Sequence, residues 1–132
     1  MTTIITRIVS ELGYEEIHTA HSGAEALQKM RTKDFGLVIC ELNMHPMDGL
    51  ELAFCIRQDS QLRKAAIVLT TADAKALAQT ISTEHFKLVD ACLMKPFTAN
   101  QLATRLSGIS VRSSSLKKIR PRSKRKFCIA QA

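Results

Sequence analysis

The sequence predicts an α/β fold in which a parallel sheet lies between two layers of helices. Three observations point there. Short apolar runs alternate with amphipathic stretches of helix length from end to end. One run, Phe35-Gly36-Leu37-Val38-Ile39-Cys40, is nearly continuous, as a strand buried on both faces requires. The most polar candidate residues then fall just after the runs, where open parallel sheets carry their chemistry.

Taken in order, Ile4, Ile5, Ile8, Val9 and Leu12 recur at helical spacing and predict a first helix, which the turn signal Gly13-Tyr14 ends. Residues 17–20 read as a short strand, and His21-Ser22-Gly23 turns the chain into a helix carrying Ala24, Leu27 and Met30. After the central strand at 35–40, a loop containing Pro46 and Gly49 leads into a helix over 50–57. Branched residues make 65–70 another buried strand; 74–83 reads as a helix, 91–94 as a short strand and 99–106 as the last helix. Helices of crossover length between short strands are the signature of parallel connections.

At 132 residues the chain has room for one ordinary core, and 45% hydrophobic with 23% charged residues is a globular composition. No stretch approaches the roughly 20 apolar residues that cross a bilayer, and the first 13 residues lack the basic start and apolar run of a secretion signal, so the expected location is cytoplasmic. Cys40, Cys55, Cys92 and Cys128 are scattered, without a CxxC pair or histidines at ligand spacing, which points to reduced thiols rather than zinc or disulfides.

The net charge of +7 is uneven. Residues 1–110 carry 11 basic and 12 acidic side chains, whereas 111–132 carry eight basic and no acidic ones. The expected organisation is therefore a domain over 1–110 and a basic flexible tail over 111–132, with an apolar patch at 127–130 able to form a strand. The stretch Lys117 to Lys126, broken by Pro121, has too little apolar area to offset chain entropy.

Three strand ends carry the polar set. Glu41-Leu42-Asn43-Met44-His45-Pro46-Met47-Asp48-Gly49 follows the central strand, Thr70-Thr71-Ala72 the next, and Lys95-Pro96-Phe97 the last. With Leu12-Gly13-Tyr14 and Gly23-Ala24-Glu25-Ala26-Leu27, this constellation resembles the response-regulator receiver family of two-component signalling over residues 4–109. The resemblance implies a CheY-like, flavodoxin-like doubly wound sheet in a three-layer α/β/α sandwich. It implies a phosphorelay role with a histidine kinase or a downstream signalling protein as partner, rather than an enzyme. In such domains an aspartate at the position of Glu41 takes a phosphoryl group with help from Mg²⁺ held by an acidic pair. A lysine at Lys95 neutralises the phosphoryl oxygens, a hydroxyl at Thr71 acts as the switch, and an aromatic at the position of Cys92 relays the change. A cis bond between Lys95 and Pro96 is implied too.

The departures matter as much. Glu41 is longer than aspartate by a methylene, which disrupts in-line phosphoryl transfer; it reads either as an imitation of the phosphorylated aspartate or as a remnant paired with Lys95. The family begins with a strand that ends in the acidic pair, and this sequence begins with the helix that should follow it. Glu41 and the backbone carbonyl of Asn43 alone are thin support for Mg²⁺, so no cofactor is assigned. The missing strand belongs in the middle of the sheet, and three arrangements stay open for Phe127-Cys128-Ile129-Ala130: entry into that slot, the start of a second receiver, or a frayed end. Gln131 and Ala132 would then stand where the acids belong. His45 reads as a solvated loop residue and Cys92 as core packing.

Three functions compete. The first is a pseudo-receiver that no longer accepts phosphate and acts through protein–protein contact. The second is a working phosphoacceptor. The third is weak, sequence-blind binding of nucleic acid through Lys117 to Lys126, for which only Phe127 offers stacking and no reading helix is recognised.

Overall fold

The computed structural model describes residues 2–11, 16–32, 35–81, 84–112 and 126–130. In chain order these form α1 (Thr2–Glu11), β1 (Glu16–Ala20), α2 (Gly23–Met30), β2 (Leu37–Glu41), α3 (Gly49–Gln58), β3 (Ala66–Thr71), α4 (Ala74–Ile81), a 3-10 turn (Glu84–Leu88), β4 (Ala91–Met94), α5 (Ala99–Arg112) and β5 (Lys126–Ala130). Leu12 and the turn expected at Gly13-Tyr14, the end of the helix expected at 74–83, the basic stretch from Lys117 to Arg125, and Gln131 and Ala132 lie outside the described residues.

Local chemistry starts the helices. Ser22 caps α2 by accepting the Glu25 amide at 3.1 Å. Asp48 and Glu51 form a reciprocal capping box at α3, with the Asp48 carboxylate accepting the Glu51 amide at 2.8 Å. Thr98 and Gln101 do the same at α5, at 3.1 and 2.8 Å. Asp73 accepts the amides of Lys75 and Ala76 to begin α4.

The five strands are parallel, in the order β1-β5-β2-β3-β4. β2 and β3 supply both cores by simple alternation. Val38, Cys40, Ile67 and Leu69 pack with Ala26, Leu27 and Met30 of α2 and Leu52, Ala53 and Ile56 of α3. Leu37, Ile39, Ala66 and Val68 pack on the other face with Ile8 of α1 and Leu102 of α5. This two-sided burial explains why both strands read as continuous apolar runs.

β5 occupies the slot between β1 and β2. It pairs from Glu16↔Lys126 to Ala20↔Ala130 on one side and from Leu37↔Phe127 to Cys40↔Ala130 on the other. β1 and β2 are therefore separated by a strand rather than paired with each other. Of the three arrangements open for the last apolar patch, the chain adopts entry into the sheet, which satisfies ladder groups on two strands at once.

Several edges differ from expectation. Strand β3 is displaced by one residue to Ala66–Thr71, which puts Thr71 inside the strand rather than after it. α5 continues past 106 to Arg112, since Leu102, Leu106 and Ile109 keep helical spacing through Gly108. The 3-10 turn at Glu84–Leu88 was not anticipated, because EHFKL is too short and mixed to show a period.

Candidate functional site

Parallel strands deliver their carboxyl ends to one rim. Glu41 is the last residue of β2 and lies in register with Thr70 of β3; Thr71 lies in register with Met94 of β4, the residue before Lys95. The loops are tied to the same rim: the Leu42 amide donates to the Thr70 carbonyl and the Lys95 amide to the Thr71 carbonyl, both at 2.8 Å. Glu41, Thr71 and Lys95, the three candidates, thus come together.

The central contact is an ion pair in which the Lys95 ammonium donates to Glu41 Oε2. Both side chains are largely withdrawn from water, Lys95 to 9% exposure and Glu41 to 18%. At that burial, losing either partner leaves a charge without compensation, unlike an exposed surface pair. Thr71 is fully buried beside it. Its hydroxyl oxygen accepts the Asn43 side-chain amide at 3.3 Å and the Asp73 backbone amide at 3.0 Å. The Asn43 side chain is the participant that sequence reasoning missed, having considered only its carbonyl. The signal was an amide two residues after Glu41 at a strand end.

Gly49 makes the geometry possible. A Cβ there would stand 2.5 Å from the Glu41 carbonyl oxygen and 2.6 Å from Leu69 Cδ1, so only glycine lets α3 begin directly behind Glu41. The Gly49 amide donates to the Leu42 carbonyl at 3.1 Å and closes the loop. Within that loop His45 is exposed, and the His45–Pro46 peptide is cis, as is Lys95–Pro96. Cys92 is half-buried and packs against the core under α2 and α3; burial pushes its thiol up to about 11, with Arg105 opposing.

The carboxylates near the rim do not suit Mg²⁺. Among the described residues no group of three or more His, Cys, Asp or Glu side chains is placed to hold a metal ion. Glu41 is engaged by Lys95, Asp48 caps α3 and Asp73 caps α4. After β5 the sequence continues with Gln131 and Ala132, whose side chains are not carboxylates.

The model of the response regulator receiver domain matches residues 1–107. The chain belongs to the response-regulator receiver family. Among curated relatives, this receiver domain is 32% identical over 109 residues to the chemotaxis protein CheY-3 of Vibrio cholerae, spanning 83% of this chain and 82% of that protein. It is 34% identical over 108 residues to CheY1 of Helicobacter pylori, spanning 80% and 85%. Among solved structures it resembles a sensor protein from Polaromonas sp. JS666, with TM-score 0.73 and 26% identity over 84% of this chain and 88% of that one. It also resembles the response regulator TrrA of Thermotoga maritima in complex with Mg²⁺ and beryllofluoride, with TM-score 0.68 and 30% identity over 80% and 85%. The flavodoxin-like α/β/α architecture is thus that of a receiver, with β5 in the place of the family's first strand. No helix among the described residues is long and apolar enough to cross a membrane.

Proposed function

We propose that this receiver domain is a signalling module of a two-component phosphorelay that holds one state without accepting phosphate, with Glu41 standing in for a phosphorylated aspartate. The observation that supports this reading is the buried Glu41–Lys95 pair. In this reading Glu41 occupies the phosphoacceptor position, Lys95 is the phosphate-neutralising lysine already satisfied, and Thr71 is the switch hydroxyl. The imitation is partial in charge, one negative charge where a phosphoryl group brings about −1.5 to −2. It is favoured by position, because the carboxylate already reaches the ammonium that a phosphoryl oxygen would meet. The protein acts through contact with a histidine kinase or a downstream signalling protein in the cytoplasm.

The extra methylene of Glu41 and the poor Mg²⁺ ligand set both oppose phosphoryl transfer. Incubation with acetyl phosphate and Mg²⁺ followed by intact mass measurement tests the reading. The expected spectrum is unchanged; a stoichiometric gain of one phosphoryl group overturns the proposal and makes the domain a working phosphoacceptor.

A further inference from the structure

We propose that the slot between β1 and β2 is a strand-binding site with an exchangeable occupant: β5 fills it from its own chain, and β5 of a second copy of this chain can fill it instead. The pairing recorded for β5 is backbone pairing, in parallel register with β1 from Glu16↔Lys126 to Ala20↔Ala130 and with β2 from Leu37↔Phe127 to Cys40↔Ala130. Parallel ladder bonds of this kind are indifferent to which molecule supplies the strand.

Specificity comes from the walls. Leu37 and Ile39 of β2 belong to the core under α1 and α5, whereas Val38 and Cys40 belong to the core under α2 and α3. Any strand beside β2 therefore has alternate residues directed toward two apolar layers, and a guest must be apolar at consecutive positions. Phe127-Cys128-Ile129-Ala130 meets that requirement, and a second copy offers the same four residues in the same register. Exchange of an identical element creates no new contact to optimise. A vacated slot, in contrast, leaves two strand edges unpaired in the middle of the sheet.

Within the chain, β5 follows α5 through the 13 residues 113–125. A connector of that length reaches about 43–47 Å when extended, and a tether of this many residues gives an effective concentration of about millimolar. Own-chain filling therefore dominates at micromolar protein, and exchange between copies emerges toward millimolar. The Glu41 pocket plays no part in this exchange.

The full chain, with one site-specific protease sequence inserted between 113 and 125, is cut and followed by native mass spectrometry. An isotopically labelled peptide of residues 126–132 is the probe. The expected result is that the labelled peptide enters the cut protein in a dose-dependent way, while the same peptide carrying Ile129→Lys does not. Uncut chains bearing two different labels, mixed near millimolar, then give a mixed dimer. The proposal is overturned if the labelled peptide never enters at millimolar excess. It is equally overturned if the resident fragment leaves while the body keeps its melting midpoint, since β1 and β2 would then have paired directly.

Discussion

Two ion pairs sit at opposite ends of the same sheet and are embedded differently. At the amino end the Arg57 guanidinium donates to Asp90 at 2.9 Å and also to the carbonyls of Leu88, Arg63 and Ala65 at 2.9, 2.6 and 2.7 Å. Asp90 in turn accepts the Ile67 amide at 2.8 Å. That pair clips the end of α3 to the starts of β3 and β4 through backbone groups, so it works as a staple. At the carboxyl rim Lys95 meets a carboxylate, with the Asn43–Thr71 contact beside it, and the groups involved are mostly side chains on three strand ends. An arrangement of that kind ties side chains to one another rather than to the backbone. The difference separates a clamp on the backbone from a side-chain pocket at the rim, although both are one cation on one carboxylate.

The comparison predicts a ranking of stabilities. Arg57→Ala removes four hydrogen bonds and takes the guanidinium from Asp90, which keeps the Ile67 amide; at 22% and 28% exposure the loss belongs at the low end for a broken buried pair, about 3 kcal/mol by urea denaturation. Arg57→Lys should rescue little of it, because an ammonium cannot reproduce the fork. Lys95→Met leaves the Glu41 carboxylate without its ammonium but removes no hydrogen bond to the backbone, and should cost about 3 kcal/mol, the low end for a broken buried pair and no more than Arg57→Ala. Adding Glu41→Gln to that variant should recover most of the loss. A Lys95→Met cost well above that of Arg57→Ala would invert the assignment of clamp and pocket.

A third, exposed pair serves as a baseline. Glu25 and Lys29 approach to 3.9 Å on α2, and the His21 backbone amide, foremost among the causes, holds the Glu25 carboxyl below its usual range. A carboxyl lowered in the folded state adds stability above its unfolded pKa and loses it as pH falls through the folded one. Glu25→Gln should therefore lower the urea midpoint slightly at neutral pH, where the contribution is fully present, and flatten the stability curve on the acid side of pH 4.5, where the unsubstituted protein loses that contribution itself.

What was legible in the sequence follows the same division. β2 and β3 declared themselves because two-sided burial demands unbroken apolar runs, and Glu41, Thr71 and Lys95 because parallel strand ends converge. The Asn43–Thr71 contact was legible only in part: an amide after the end of β2 was visible, but its turn onto the Thr71 hydroxyl is set by the loop. The Arg57 clamp was hidden: its acceptors are mainly carbonyls, which carry no sequence signature. For β5, the apolar patch was visible but its central place was decided by the unpaired edges of β1 and β2.

The central claim is that the pocket is filled by its own ion pair and does not respond to a phosphoryl-like ligand. Amide chemical shifts recorded while Mg²⁺ and beryllofluoride are titrated into the folded protein test it most directly. The account predicts that the amides of Thr71, Ala72 and Lys95, and those of α4, stay in place throughout the titration. Saturable movement of those amides would contradict it and return the domain to the ordinary, switchable kind.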